Sequence, residues 1–166
     1  IVGRLPIGMA TLSILLFLQS RSGSLAIAGA AAACYVVGLA TVAPLLGRLM
    51  DRLGPRPVLS VGAAVYPIML AALVVMALSS FNPWWIAAVA MLAGAAFPPV
   101  TICMRALYPR LVTDPAQLQT AYSVDSALVE TSFVVGPILV AGFVALGVPA
   151  GAVLFAAIAA AAGAWL

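Results

Sequence analysis

Apolar residues run through this chain in long blocks, separated by short clusters of arginine, glycine, proline, serine and asparagine. Residues 57 to 104 and 131 to 166 carry no charged side chain at all. A helix crosses the ~30 Å hydrocarbon layer of a bilayer with about 20 apolar residues, so either block is too long for a single crossing. The first is broken by Ser79-Ser80-Phe81-Asn82-Pro83, turn formers followed by Trp84-Trp85 at interface level, and the second by Gly147-Val148-Pro149-Ala150-Gly151. The pattern predicts six membrane-spanning helices over residues 4 to 20, 25 to 46, 57 to 78, 84 to 104, 120 to 146 and 150 to 166.

Composition narrows the class. The chain is 66% hydrophobic and 7% charged, with a mean hydropathy of +1.25, more apolar side chain than a soluble domain of this length can hide. Its Ala- and Gly-rich segments, with 8% aromatic residues, suit close helix packing and not the alternating strands of a barrel. An all-α membrane protein is expected. The formal charge of +3 comes from arginine alone, placed at the ends of apolar segments, so no nucleic-acid surface is expected. Cys34 and Cys103 each lie alone in an apolar segment, with no CxxC and no histidine anywhere, so neither a metal site, a cofactor site nor a disulfide is expected. The first segment lacks the small-residue cleavage site of a signal peptide. Residues 1 to 166 read as one six-helix transmembrane domain, cut from a longer chain because it opens on Ile1 and stops inside an apolar run.

Six crossings put the N-terminus and the second and fourth loops on one side, and that side holds Arg4, Arg48, Arg52, Arg56, Arg105 and Arg110 against Arg21 alone on the other. By the positive-inside rule the N-terminus and the Gly47 to Arg56 segment are cytoplasmic, in a multi-pass protein of the cell membrane. Pro6, Pro44, Pro67, Pro98-Pro99 and Pro137 interrupt the helices. Such breaks either bend a helix beside a protein-lined cavity or merely help it pack. Small residues at four-residue spacing, Ala30, Cys34 and Gly38 or Ser132 and Gly136, permit close helix contact.

Few residues can carry chemistry. Gly47 to Arg56 reads as a tight turn holding four of the eleven charged side chains, and Asp51 within it sits at the C-terminal end of the second helix, where the helix dipole disfavours a carboxylate. Asp51 needs Arg48, Arg52 or Arg56, or the N-terminus of another helix. Glu130 falls near the middle of the fifth span, where an ionisable group is expensive and faces a cavity or a partner. Tyr122, Ser126, Glu130, Phe133 and Pro137 form one polar and aromatic stripe. Glu130 then either binds and releases a proton or forms a structural ion pair with Arg4 or Arg105. Asp125, one turn nearer the cytoplasm, reads as a helix-end residue in the water interface. In the fourth span Ala90, Gly94, Pro98, Thr101 and Arg105 share a face that lines a cavity, with Thr101 as its polar group.

The spacing of Gly47, Leu49, Asp51, Arg52, Gly54 and Arg56 resembles the loop between the second and third helices of major facilitator superfamily transporters, with Pro55 in place of the first basic residue of the usual pair. Ser132, Gly136, Pro137 and Gly142 resemble the Gly-x-x-x-Gly-Pro-x-x-Gly-Gly element of the antiporter branch, with Val140-Ala141 replacing the paired glycines. The resemblance covers the whole chain as the N-terminal half of such a fold, two inverted three-helix repeats. It implies alternating access with the C-terminal half of the same chain, a small-molecule substrate, efflux driven by protons, and Asp51 acting as a latch on the opposite half. Family exporters often carry a basic residue where Ala90 stands, which leaves Glu130 as the intramembrane proton candidate. The rival readings are a membrane-embedded enzyme or another membrane protein that does not transport. The chain has no histidine and no Gly-x-Ser-x-Gly, so an enzyme is not expected.

Overall fold

A computed structural model describes residues 2–79 and 82–165. After a single 3-10 turn, Val2–Arg4, the elements are α1 (Leu5–Ser22), α2 (Leu25–Leu53), α3 (Pro55–Leu78), α4 (Pro83–Ala95), α5 (Val100–Leu111), α6 (Pro115–Ala145) and α7 (Pro149–Trp165). Proline opens α3, α4, α6 and α7, where its missing N–H costs no helical hydrogen bond. Side-chain caps fix three starts: Ser24 accepts from the Ile27 N–H at 3.4 Å, Asn82 from Trp84 at 3.0 Å and Asp114 from Ala116 at 3.2 Å. Four segments, α2, α3, α4 with α5, and α6, are long and apolar enough to cross a membrane by length and composition. The shorter α1 and α7, of 18 and 17 residues, complete a set of six crossings.

The structure corrects the sequence expectation at several places. Gly47 to Arg56 is not a turn: α2 continues as helix to Leu53, and the chain reverses at Gly54 alone before Pro55 begins α3. Gly54 has φ +85°, a left-handed conformation that a side chain would strain, and its N–H bonds to the Met50 carbonyl at 2.9 Å. The expected helix over 84 to 104 is two helices, broken between Ala95 and Val100, because consecutive Pro98 and Pro99 remove two helical donors. The face drawn from Ala90 to Arg105 is therefore not continuous: Ala90 is fully buried in the core and Gly94 packs on α2, while Thr101 and Arg105 follow on α5. The fifth crossing starts at Pro115, not near residue 120. Pro6 sits in the first turn of α1, and Pro44, Pro67 and Pro137 lie inside unbroken helices. Ser80 and Phe81 of the expected Ser79 to Pro83 turn, and the terminal Ile1 and Leu166, lie outside the described residues.

The pairing of helices has an internal symmetry. α1 packs on α6, α7 and α2, α2 packs on α4, and α3 packs on α7 and α4; all but the α1–α2 contact, which has no comparable counterpart between α4–α5 and α6, pair up under one exchange. Count α4 and α5 as one interrupted crossing and exchange the first three crossings with the last three. The contact of α1 with α6 then becomes that of α4 with α2, the contact of α1 with α7 becomes that of α4 with α3, and the contact of α3 with α7 maps onto itself. Successive crossings alternate in direction, so a helix and its counterpart three crossings later run opposite ways. The two three-helix repeats are inverted.

Glycine makes the two counterpart crossings close. A Cβ on Gly8 would overlap the Ser132 carbonyl, and one on Gly136 would come within 2.7 Å of the Gly8 carbonyl carbon. At the other crossing, a Cβ on Gly38 would overlap the Met91 carbonyl and one on Gly94 the Tyr35 carbonyl. Around these contacts Ile14, Phe17, Tyr66, Leu70 and Leu73 form the largest apolar core, joining α1 and α3 to α2, α4 and α7. The Tyr35 and Tyr66 hydroxyls share a hydrogen bond at 3.1 Å within it, and Tyr66 meets Phe97 edge-on at 5.2 Å. The backbone contact at Gly94 predicts that Gly94→Val forces α2 and α4 apart, at a cost of about 1–3 kcal/mol or more. Gly142→Ala, where an added Cβ meets nothing within 4 Å, should leave stability unchanged or raise it. Thermal unfolding in detergent compares the two, and equal melting points would refute the close-packed crossing.

Candidate functional site

Charged side chains from both ends of the sequence converge on one buried carboxylate. Asp125 lies on α6, with its side chain 0% exposed. Arg4, at the end of the 3-10 turn, pairs through Nη2 with Asp125 Oδ1 and donates from Nη1 to the Asp125 backbone carbonyl at 2.9 Å. From α5, Arg105 Nε donates to Asp125 Oδ2 at 2.7 Å and the Tyr108 hydroxyl donates to Oδ1 at 3.0 Å. Arg105 also reaches Ser126 Oγ through Nη2 at 3.3 Å, and the Tyr122 hydroxyl donates to the Arg105 carbonyl at 3.5 Å. Tyr108 and Tyr122 stack edge to face with ring centres 5.6 Å apart. Arg4 is nearly as buried as Asp125, at 7% side-chain exposure, whereas Arg105 is 46% exposed.

This arrangement reassigns the carboxylates of α6. Asp125 is buried, and it takes both arginines that the sequence offered to Glu130. Glu130 is exposed and forms no ion pair among the described residues. Tyr122 and Ser126 are half-buried beside the cluster, while Glu130 and Phe133 continue the same stripe on the exposed surface. Tyr108 is a member of the cluster that sequence reasoning missed. Its phenol belongs to α5, a helix that extends the fourth crossing past the expected end at residue 104. The Asp114-Pro115 pair, a side-chain cap followed by a first-turn proline, was the legible signal for Asp125. A helix starting there places Asp125 about 15 Å along the axis and not at the helix end.

The motif of α2 lies apart from this cluster. Gly47, Met50, Asp51 and Gly54 line an open groove of about 360 Å³ together with Cys103, Ala106 and Arg110 of α5. Asp51, Arg48, Leu49, Arg52 and Arg56 are all exposed, and Asp51 has no ion pair among the described residues. Thr101 lines a separate cavity of about 170 Å³ with Ile7, Leu39 and Phe97. Gly136 is buried against α1, and Pro137 follows it at the same crossing. No group of three potential metal ligands is present among the described residues.

The family model described as Major Facilitator Superfamily matches residues 4–166. No curated protein matches the chain, and no solved structure does.

Asp125 holds two guanidinium groups, so removing its charge leaves both uncompensated. Asp125→Asn should cost about 3 kcal/mol or more, since breaking a buried pair strands the partner's charge. Arg4→Gln combined with Asp125→Asn should recover part of that loss. Glu130→Gln should leave the melting point unchanged. Thermal unfolding of the four proteins checks the ranking, and a Glu130→Gln variant less stable than Asp125→Asn would reverse the assignment.

Proposed function

The chain belongs to the major facilitator superfamily, a family of small-molecule membrane transporters, and from that premise we propose that it forms the N-terminal half of a proton-driven exporter in the cell membrane. The observation that carries the reading is the contrast between the two carboxylates of α6. Asp125 is clamped by two arginines and a phenol, so taking up a proton there would break several charge-assisted bonds. Glu130 is free of such partners among the described residues and lies on the exposed stripe beyond Ser126. Asp125 then holds the two repeats together while Glu130 exchanges the proton. In this reading the surface that bears Glu130 faces the C-terminal half across the transport path, and water reaches it in at least one state.

Asp51 supports the second element of the proposal. It ends α2, where the negative pole of the helix disfavours a carboxylate, and it has no ion pair among the described residues. A helix N-terminus of the opposite half supplies the missing compensation in one state and loses it in the other, which makes Asp51 a latch. Access then alternates as the two halves rock about the path between them.

Two measurements test the proposal on the full-length protein in vesicles. Glu130→Gln should abolish proton-driven flux while preserving substrate exchange, because glutamine keeps the shape and loses the proton. Asp51→Asn should reduce flux and exchange together, because both need the conformational change. Proton-driven flux at the wild-type rate in Glu130→Gln would remove the coupling role.

The arginine asymmetry supports a cytoplasmic N-terminus. Cysteine placed at Leu53, 62% exposed at the end of α2, should react with an impermeant reagent only after the membrane is opened. Labelling in sealed, right-side-out cells would invert the topology.

A further inference from the structure

Where α1 and α3 finish and α2 and α4 begin, a groove of about 200 Å³ opens among the four helix ends, with Arg21 in its wall. Its floor is apolar and buried: Leu18, Ala77 and Ile86 are 2%, 7% and 7% exposed. Its rim, at Arg21 and Pro83, is exposed. Leu18 precedes Arg21 by three residues of α1 and Ile86 follows Pro83 by three residues of α4, so the floor lies roughly 5 Å nearer the middle of the bundle than the rim. The groove thus has a direction, from a charged mouth to an apolar depth.

Arg21 stands there with no carboxylate beside it. Asp51 and Asp114 lie toward the opposite end of the helices, and Asp125 and Glu130 lie inside α6. Neither ion pair among the described residues includes Arg21. Trp84 and Trp85 follow Pro83 at the start of α4 and are 82% and 64% exposed. Exposed tryptophans favour the level of lipid headgroups, the level at which a guanidinium meets phosphate groups.

A free phosphate would pair with Arg21 and leave the apolar floor uncovered, whereas an uncharged chain would cover the floor and leave the guanidinium unpaired. A phospholipid meets both needs, since arginine's planar fork matches a phosphate and the floor matches the first methylenes of a chain. A zwitterionic headgroup would bring its own cation beside Arg21, where no carboxylate receives it. A headgroup of net negative charge does not. We infer that this groove binds one phospholipid of net negative charge, its phosphate on Arg21 and the upper part of a chain on Leu18, Ala77 and Ile86. The lipid ties the ends of α1, α2 and α3 to α4, at the end of the bundle opposite Arg4. The site depends on neither the substrate, the coupling ion nor the direction of transport.

The test uses the full-length protein in detergent, with dioleoylphosphatidylglycerol, dioleoylphosphatidylcholine and inorganic phosphate as probes and native mass spectrometry to count bound lipid. The tightest phosphatidylglycerol should bind about fivefold or more tightly than phosphatidylcholine, which has the same chains, and phosphate at equal concentration should not displace it. Arg21→Gln should bring the two lipids level, and Arg21→Lys, which keeps the charge and loses the fork, should keep part of the preference. Arg52→Gln, an exposed arginine near the other end of α2, should leave the tightest site unchanged. Arg21 is exposed at the end of α1, so Arg21→Gln should fold, with an unchanged melting point in the absence of added lipid. The comparison of lipids on the wild type stands whatever that variant does. Equal affinity for the two lipids, an unchanged preference in Arg21→Gln, or loss of the tightest site in Arg52→Gln would overturn the proposal. Displacement by phosphate at equal concentration would assign the groove to a free anion and overturn it as well.

Discussion

Within a bilayer, burying apolar side chains gives little drive for helices to meet, because lipid tails are as apolar as leucine. What remains is contact at close range, and in this chain the backbones themselves approach at two helix crossings and where Gly3 meets Gly163 of α7. Gly8 with Gly136, and Gly38 with Gly94, bring α1 onto α6 and α2 onto α4 with no side chain between them. The two crossings are counterparts under the exchange of repeats, so one packing solution is used twice. The same closeness fixes the register of α1 against α6. With α1 held there, the segment that precedes it brings Arg4 to Asp125.

The glycine contacts and the charged cluster thus fix the same end of α1, Arg4 following Gly3 where it packs on α7. Arg4 enters from the first repeat, whereas Arg105, Tyr108 and Asp125 come from the second, so the cluster adds a charged tie between the repeats to the glycine contacts. A buried ion pair of this kind contributes little net stability against an apolar substitute, because desolvation offsets the attraction. Its effect is on specificity: any slip of α1 along α6 would strand a charge. Two guanidiniums on one carboxylate also leave the surroundings positive, which favours whatever anion can approach the exposed side of Arg105.

The crossings were legible in the sequence because uncharged runs and interface tryptophans mark them without reference to tertiary contacts. The motif from Gly47 to Arg56 was legible as spacing but not as shape. Its charges suggested a turn, yet Arg48, Asp51 and Arg52 are good enough helix members, once past the apolar layer, for α2 to run on to Leu53. The exchange of roles between Asp125 and Glu130 was lost for a related reason. The helix end was judged from the start of the apolar run near residue 120, and the helix begins at its cap, Asp114, well before that run. Tyr108 could not be placed at all, since its contact with Asp125 exists only after α5 folds back against α6.

The break between α4 and α5 is where the repeats cease to be alike. Gly8 and Gly94 occupy matching places in the counterpart crossings, and four to five residues later α1 carries Leu12 and Ser13 where the other repeat carries Pro98 and Pro99. α1 continues unbroken there, and Ser13 turns its hydroxyl onto the Ala10 carbonyl at 2.8 Å, satisfied within its own helix. In the other repeat the prolines end the helix, the next helix restarts at Val100, and Thr101 is left facing a cavity with no acceptor of its own. Symmetric packing alone would have produced two sealed crossings. The proline pair interrupts one of them and leaves the other continuous, and the helix that restarts after the break, α5, supplies Arg105 and Tyr108 to the charged cluster. One local departure from helix geometry thereby places an apolar chamber, an unpaired hydroxyl and a surplus arginine along the same short helix.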